Sequence, residues 1–199
     1  MTMLTKFESW RNYIRACQGF RRGFIAFVLG VVCVLALPPI YCIPALIPSF
    51  VGLIWLIDGS NNGSTKNGHQ FRKNNIFDGS FIIGCCYGLG FFLAGTYWVA
   101  LSFLVDAKQF AWMIPFVLFG LSSFFAVYVG LTCFLSFRLG RPGGQRVMYF
   151  SIFWVVFEWV RGWLFTGFPW NLIGTVWAFN EPMIQFASLF GVMGLSIVT

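Results

Sequence analysis

Apolar residues in this chain neither alternate nor recur every third or fourth position; they run. Long apolar stretches fill residues 80–104, 111–137 and 147–165. Each is near or above the roughly 20 helical residues needed to cross a hydrocarbon core of about 30 Å. Two shorter runs, 23–37 and 43–57, flank "PPIYC" and are predicted as a short helical hairpin over 23–57 with both arms crossing. A last run occupies 182–199. Polar residues collect between the runs, in a basic segment over 1–22 and in loops over 58–79 and 166–181. The pattern predicts an all-α polytopic membrane protein with five transmembrane helices plus the start of a sixth. That last run reaches Thr199 with no basic anchor or polar cap, so the expectation is a truncated helix.

Composition agrees. Of 199 residues, 58% are hydrophobic, 21% aromatic and only 10% charged, too few charges to clothe a water-soluble domain. The net charge of +7 is informative through its placement. Eleven of the 13 Lys and Arg fall in three segments: Lys6, Arg11, Arg15, Arg21 and Arg22; Lys66, Arg72 and Lys73; Arg138, Arg141 and Arg146. Five alternating helices put all three segments on one side, which the positive-inside rule makes cytoplasmic. The N-terminus is then cytoplasmic and the 166–181 loop faces outward. The cations have no basic stripe with interleaved aromatics in a polar context, so no nucleic acid is expected as a partner. Arg21 and Arg22 precede an apolar stretch as in a signal peptide, but "PPIYC" offers no small-x-small cleavage pattern, and an uncleaved first span is the better expectation.

Most of the six cysteines lie within apolar runs, where cysteine behaves as a small hydrophobe; even the pair Cys85 and Cys86 is expected to pack. His69 is expected to be solvated in its Asn- and Gly-rich loop. Neither a metal nor a cofactor is implied, since no His, Cys or carboxylate cluster has ligand spacing.

One stretch breaks the apolar rule: "EWVRGWLFTGFPWNLIGTVW", residues 158–177. Counting about 1.5 Å per residue from Val147 puts Glu158 about 16 Å into its helix, past the bilayer midpoint, and Arg161 about 21 Å in. A lone carboxylate costs about 2.5–3.5 kcal/mol at that depth. The three-residue spacing puts both groups on one face, and the expectation is a Glu158–Arg161 ion pair facing the bundle or a polar cavity. An interfacial anchor in an aromatic belt is the plainer alternative. Gly167 and Pro169 then break the helix, and irregular backbone at membrane depth is tolerated only where it is buried in protein or lines a cavity. Aromatic walls, the amide of Asn171 and an ion pair suit a pocket for a molecule with an acyl tail and a polar head.

This stretch, with "GFFLAGTYWVALSF" at 90–103, "LALPPIYCIPAL" at 35–46 and "QFASLFGVMGLS" at 185–196, resembles the membrane domain of bacterial apolipoprotein N-acyltransferases. The resemblance implies a multi-pass protein of the bacterial cytoplasmic (inner) membrane. It implies an activity that transfers an acyl chain from phospholipid to the N-terminal diacylglyceryl-cysteine of lipoproteins. In that family a nitrilase-like domain outside the membrane carries a Glu base, a Lys and a Cys nucleophile. Nothing in this sequence matches that domain, so no catalytic residue is assigned in this chain and it is expected to be inactive alone. The resemblance assigns Glu158, Arg161, Phe168, Pro169, Trp170 and Asn171, with Tyr97 and Trp98, to the cleft where phospholipid donor and lipoprotein acceptor meet. The alternative is a non-enzymatic, lipid-binding polytopic protein or the partner of a separately encoded nitrilase-like domain.

Overall fold

Long apolar runs with few helix breakers fold as helices, and in the computed structural model all regular structure among the described residues, 3–60 and 79–199, is helical. The elements are α1 (Met3–Ala16), α2 (Gly19–Val34), α3 (Leu46–Gly59), α4 (Gly79–Gly95), α5 (Val99–Phe103), α6 (Ala107–Phe110), α7 (Ile114–Leu139), α8 (Gly144–Trp163) and α9 (Glu181–Val198), with short 3₁₀ turns between several of them. Lys66, His69, Arg72 and Lys73 of the expected cytoplasmic loop lie outside the described residues. Two stretches are long and apolar enough to cross a membrane by length and composition, Ala107–Leu139 and Glu181–Val198.

Two sequence expectations change. The basic N-terminal segment, given no regular structure from sequence, forms α1 and, over 19–22, the first turn of α2. The run over 80–104 is two helices, because α4 stops at Gly95. There the Thr96 N–H and hydroxyl both turn back to the Phe92 carbonyl, at 2.8 and 2.7 Å. The next residues tighten into three-residue turns, Val99 to Thr96 and Ala100 to Tyr97, each at 3.0 Å.

Helix α4 is the centre of the bundle, packed between α2 and α7. Glycines on its opposite sides allow this. Positions 88 and 90 are about 200° apart on a helix. A Cβ at Gly88 would lie 2.8 Å from the Ala126 Cα of α7, and one at Gly90 only 2.1 Å from the Phe27 carbonyl of α2. Close backbone approach through small residues is how helices associate without a hydrophobic drive between them. Gly90→Val must therefore push α2 away, at a cost of about 2 kcal/mol, read as a lower denaturation midpoint in detergent micelles.

Tyr87, Leu53, Leu56, Ile57 and Phe91 fill the core with no more than 1% exposure. Within it the buried Ser49 hydroxyl donates to the Leu29 carbonyl at 2.7 Å, so the Tyr87 hydroxyl donates to Ser49 at 2.6 Å, tying α2, α3 and α4 together. The outer faces, by contrast, carry large exposed apolar side chains, among them Phe116, Phe119, Ile152, Val156, Leu189 and Phe190. An apolar core inside an apolar exterior is unlike a water-soluble domain.

At one end of the bundle the last turns of α1, α3 and α7 meet the start of α8. Asp58, at the end of α3, accepts from Arg15 of α1 at 2.6 Å and from Arg146 of α8. The Arg146 side chain is almost wholly buried, donates also to the Gly140 carbonyl at 3.1 Å, and lies over the Phe137 ring, 4.9 Å from its centroid.

Candidate functional site

The site lies in the other half of the bundle, where α8 runs out. Its helix is followed by a 3₁₀ turn, Leu164–Thr166, in which Phe165 has a positive φ of 52°. Gly167 then reverses the chain at φ 79°, a conformation glycine adopts without strain, and a Cβ there would lie 2.2 Å from the Gly162 carbonyl. The Phe168 N–H donates back to the Arg161 carbonyl at 2.9 Å, which folds the irregular segment over the end of α8. Asn171 takes a left-handed φ of 53°, tolerated best by Asn after Gly, and a second 3₁₀ turn, Ile173–Trp177, begins.

That fold-back decides what holds the buried charges. Glu158 is 5% exposed and Arg161 3%, so both face the bundle. They make no contact ion pair, however, which corrects the expectation of a direct Glu158–Arg161 bridge. Glu158 Oε1 instead accepts from the Trp154 indole at 3.0 Å and from the Ile173 backbone N–H at 2.8 Å. A carboxylate on the first N–H of a helical turn is well placed by geometry and by dipole. The Arg161 guanidinium lies between aromatic faces, 4.9 Å from the Phe92 centroid and 5.8 Å from that of Phe125, and the two charges attract at longer range. Spacing of three along a helix gave the shared face but not these partners. Trp154 was missed too, although its place one turn before Glu158 is a local signal that could have found it.

Three buried polar atoms here have no hydrogen-bond partner: Glu158 Oε2, Arg161 Nη1 and Asn171 Nδ2. All three residues line one cavity, walled by Phe91, Phe92, Tyr128, Trp154 and Phe157, with about 20 Å³ open to the centre of a water-sized sphere. That is room for about one water or one ligand oxygen. Two donors and an acceptor thus meet at a mainly aromatic wall that also includes Thr132.

The other expected cleft residues divide. Phe168 stacks on Phe125 at 4.7 Å between centroids and contacts Trp170, which meets Trp98 edge-on at 5.4 Å. These rings form a ledge leading from the α4–α5 turn towards the cavity, with Trp170 and Trp98 partly in the open. Pro169 is exposed on the same segment, and Tyr97 is 61% exposed and does not line the cavity. Ser196 of α9 was missed by sequence reading; it accepts from the Gly174 N–H at 2.9 Å and buttresses the turn that holds Glu158.

Comparison with known proteins bears on this arrangement. The family model described as "Apolipoprotein N-acyltransferase N-terminal domain" matches residues 29–199. The chain is 36% identical over 180 residues to the apolipoprotein N-acyltransferase of Rhizobium rhizogenes, covering 90% of this chain and 33% of that protein. It is 35% identical over 179 residues to that of Rickettsia typhi, with the same two coverages. Against the Rhodopseudomonas palustris enzyme it is 36% identical over 183 residues, covering 91% of this chain and 32% of the relative. The chain therefore spans about a third of the length of the curated relatives it matches. With 171 of its 199 residues inside the match, the chain belongs to the apolipoprotein N-acyltransferase N-terminal domain family.

Proposed function

We propose that this chain is the membrane portion of an apolipoprotein N-acyltransferase and supplies the lipid-accessible cleft of that enzyme. It crosses the cytoplasmic membrane through five spans built on α2, α3, α4, α7 and α8, with α9 entering as a sixth, the N-terminus cytoplasmic and the 166–181 segment facing outward. The apolar exterior supports this reading, as does the meeting of Arg15, Asp58, Arg146 and Gly140 at one bundle end, where the expected cytoplasmic segments converge.

The observation that carries the proposal is the convergence of Glu158, Arg161 and Asn171 on one cavity within aromatic walls. A phospholipid acyl donor and a diacylglyceryl lipoprotein acceptor each bring acyl chains that suit the Phe168, Trp170 and Trp98 ledge, and a polar head that suits the orphaned donors. Acyl transfer itself falls to a nitrilase-like domain, on the same polypeptide or a separate one. Cys33 and Cys133 are fully buried in the apolar core, closed off from an incoming substrate.

Trp170→Ala, made at the matching position of the Rickettsia typhi relative, is expected to lower lipoprotein N-acylation about tenfold by removing the ledge that aligns an acyl chain. Acylation at the unsubstituted rate would count against this cleft.

A further inference from the structure

Helix α1 lies ahead of the residues the family model matches, and the acyl-transfer reading gives it no task. It packs on α3 through one side, where Ile14 reaches the core and Arg15 is clamped on Asp58. Its other side is open: Trp10 is 66% exposed and Tyr13 62%. The corner into α2 continues this edge with Phe20, 87% exposed and stacked on Phe24 at 6.4 Å.

Cations flank these rings: Arg21 is exposed, and Arg11 and Arg22 are half-buried, Arg22 also donating to the Arg15 carbonyl at 3.4 Å. Asp58 is shared by Arg15 and Arg146, and among the described residues Arg11, Arg21 and Arg22 have no carboxylate in salt-bridge contact. The only acid in residues 1–22 is Glu8, against five Lys and Arg. Exposed aromatics beside arginines that contact no carboxylate among the described residues match a membrane–water boundary, where rings sit at headgroup depth and cations meet lipid phosphate.

We propose that α1 and the α1–α2 corner form a docking surface for anionic phospholipid headgroups, with the Arg15–Asp58 clamp fixing that surface at the rim of the bundle. The charge complementarity commits it to a lipid surface with negative headgroups. The inference rests on the reading that the bundle crosses a membrane. It goes beyond it in assigning a lipid selectivity to residues outside the cleft.

The full chain, reconstituted in nanodiscs of phosphatidylcholine alone or with about 30% phosphatidylglycerol, tests this by hydrogen exchange of the amides of residues 8–24. Exchange is expected to slow about tenfold with phosphatidylglycerol and to lose that slowing in about 0.5 M salt. In the Arg11→Gln/Arg21→Gln variant the difference between discs should shrink below about twofold, while α4 amides stay equally protected in every case. Equal α1 exchange in both discs at low salt overturns the proposal, as does a full lipid effect in the double variant; either result with α4 protected leaves the membrane reading standing. Rapid α4 exchange in both discs would overturn the membrane reading and this inference together.

Discussion

Replacing Asp58 with alanine is expected to cost the fold about 3–5 kcal/mol, because it strands a buried charge. Arg146 is 2% exposed and loses the carboxylate that pairs with it, while its contacts with the Gly140 carbonyl and the face of Phe137 carry no compensating charge. Arg15 loses the only ion-pair contact it makes among the described residues, and with it α1 loses its polar attachment to α3. Two readouts separate these effects. Denaturation in mixed micelles should show the lower midpoint, and trypsin should cut within α1 sooner than elsewhere. Asp58→Ala/Arg146→Met, which removes the stranded cation along with its partner, should recover part of the loss. A single variant as stable as the parent would mean the cluster is solvated and contributes little.

Glu158→Ala is expected to be of similar size, about 3–5 kcal/mol, for a different reason. The Trp154 indole and the Ile173 N–H lose their common acceptor, each costing about 1–3 kcal/mol when left buried and unmade. Arg161 also loses the nearby negative charge, and aromatic faces offset only part of that. Glu158→Gln keeps an acceptor oxygen for both donors and removes only the charge, so its loss should be smaller, about 1–2 kcal/mol. Measured by denaturation in micelles, the order Ala worse than Gln follows from a carboxylate that acts as a hydrogen-bond acceptor. Equal losses would point to the charge alone, and to a direct pair with Arg161 after all.

The helical character and the buried face of α8 were legible because hydrophobic runs and a period of 3.6 are local properties. Glu158 and Arg161, three apart, had to share a side. Their partners were not legible, since the Ile173 N–H reaches Glu158 only after Gly167 and Asn171 turn the chain back, and Phe92 and Phe125 arrive from α4 and α7. The break at Thr96 escaped for a related reason. Hydropathy is unchanged across 80–104, and the Thr96 hydroxyl bond back to the Phe92 carbonyl is no local signal, since Thr132 and Ser136 make the same kind of bond within unbroken α7. Helix α1 was hidden by composition: its charges marked a basic segment without marking a helix, yet Ile14 on one side and Trp10 and Tyr13 on the other give it a packed and an open side. Asp58 carried no motif at all; its role comes from the meeting of three helix ends.

The lipid cleft proposed for these residues can be tested in the setting of a longer relative. The most direct test places residues 29–199 of this chain in the Rickettsia typhi relative, in place of the part they match, in cells depleted of their own enzyme. Mass spectrometry of a lipoprotein N-terminus then reads the outcome. The account predicts a third, amide-linked acyl chain, lost when the chimera carries Glu158→Ala. A chimera that is stably present in the membrane yet leaves the lipoprotein with only its two glyceryl acyl chains would contradict it.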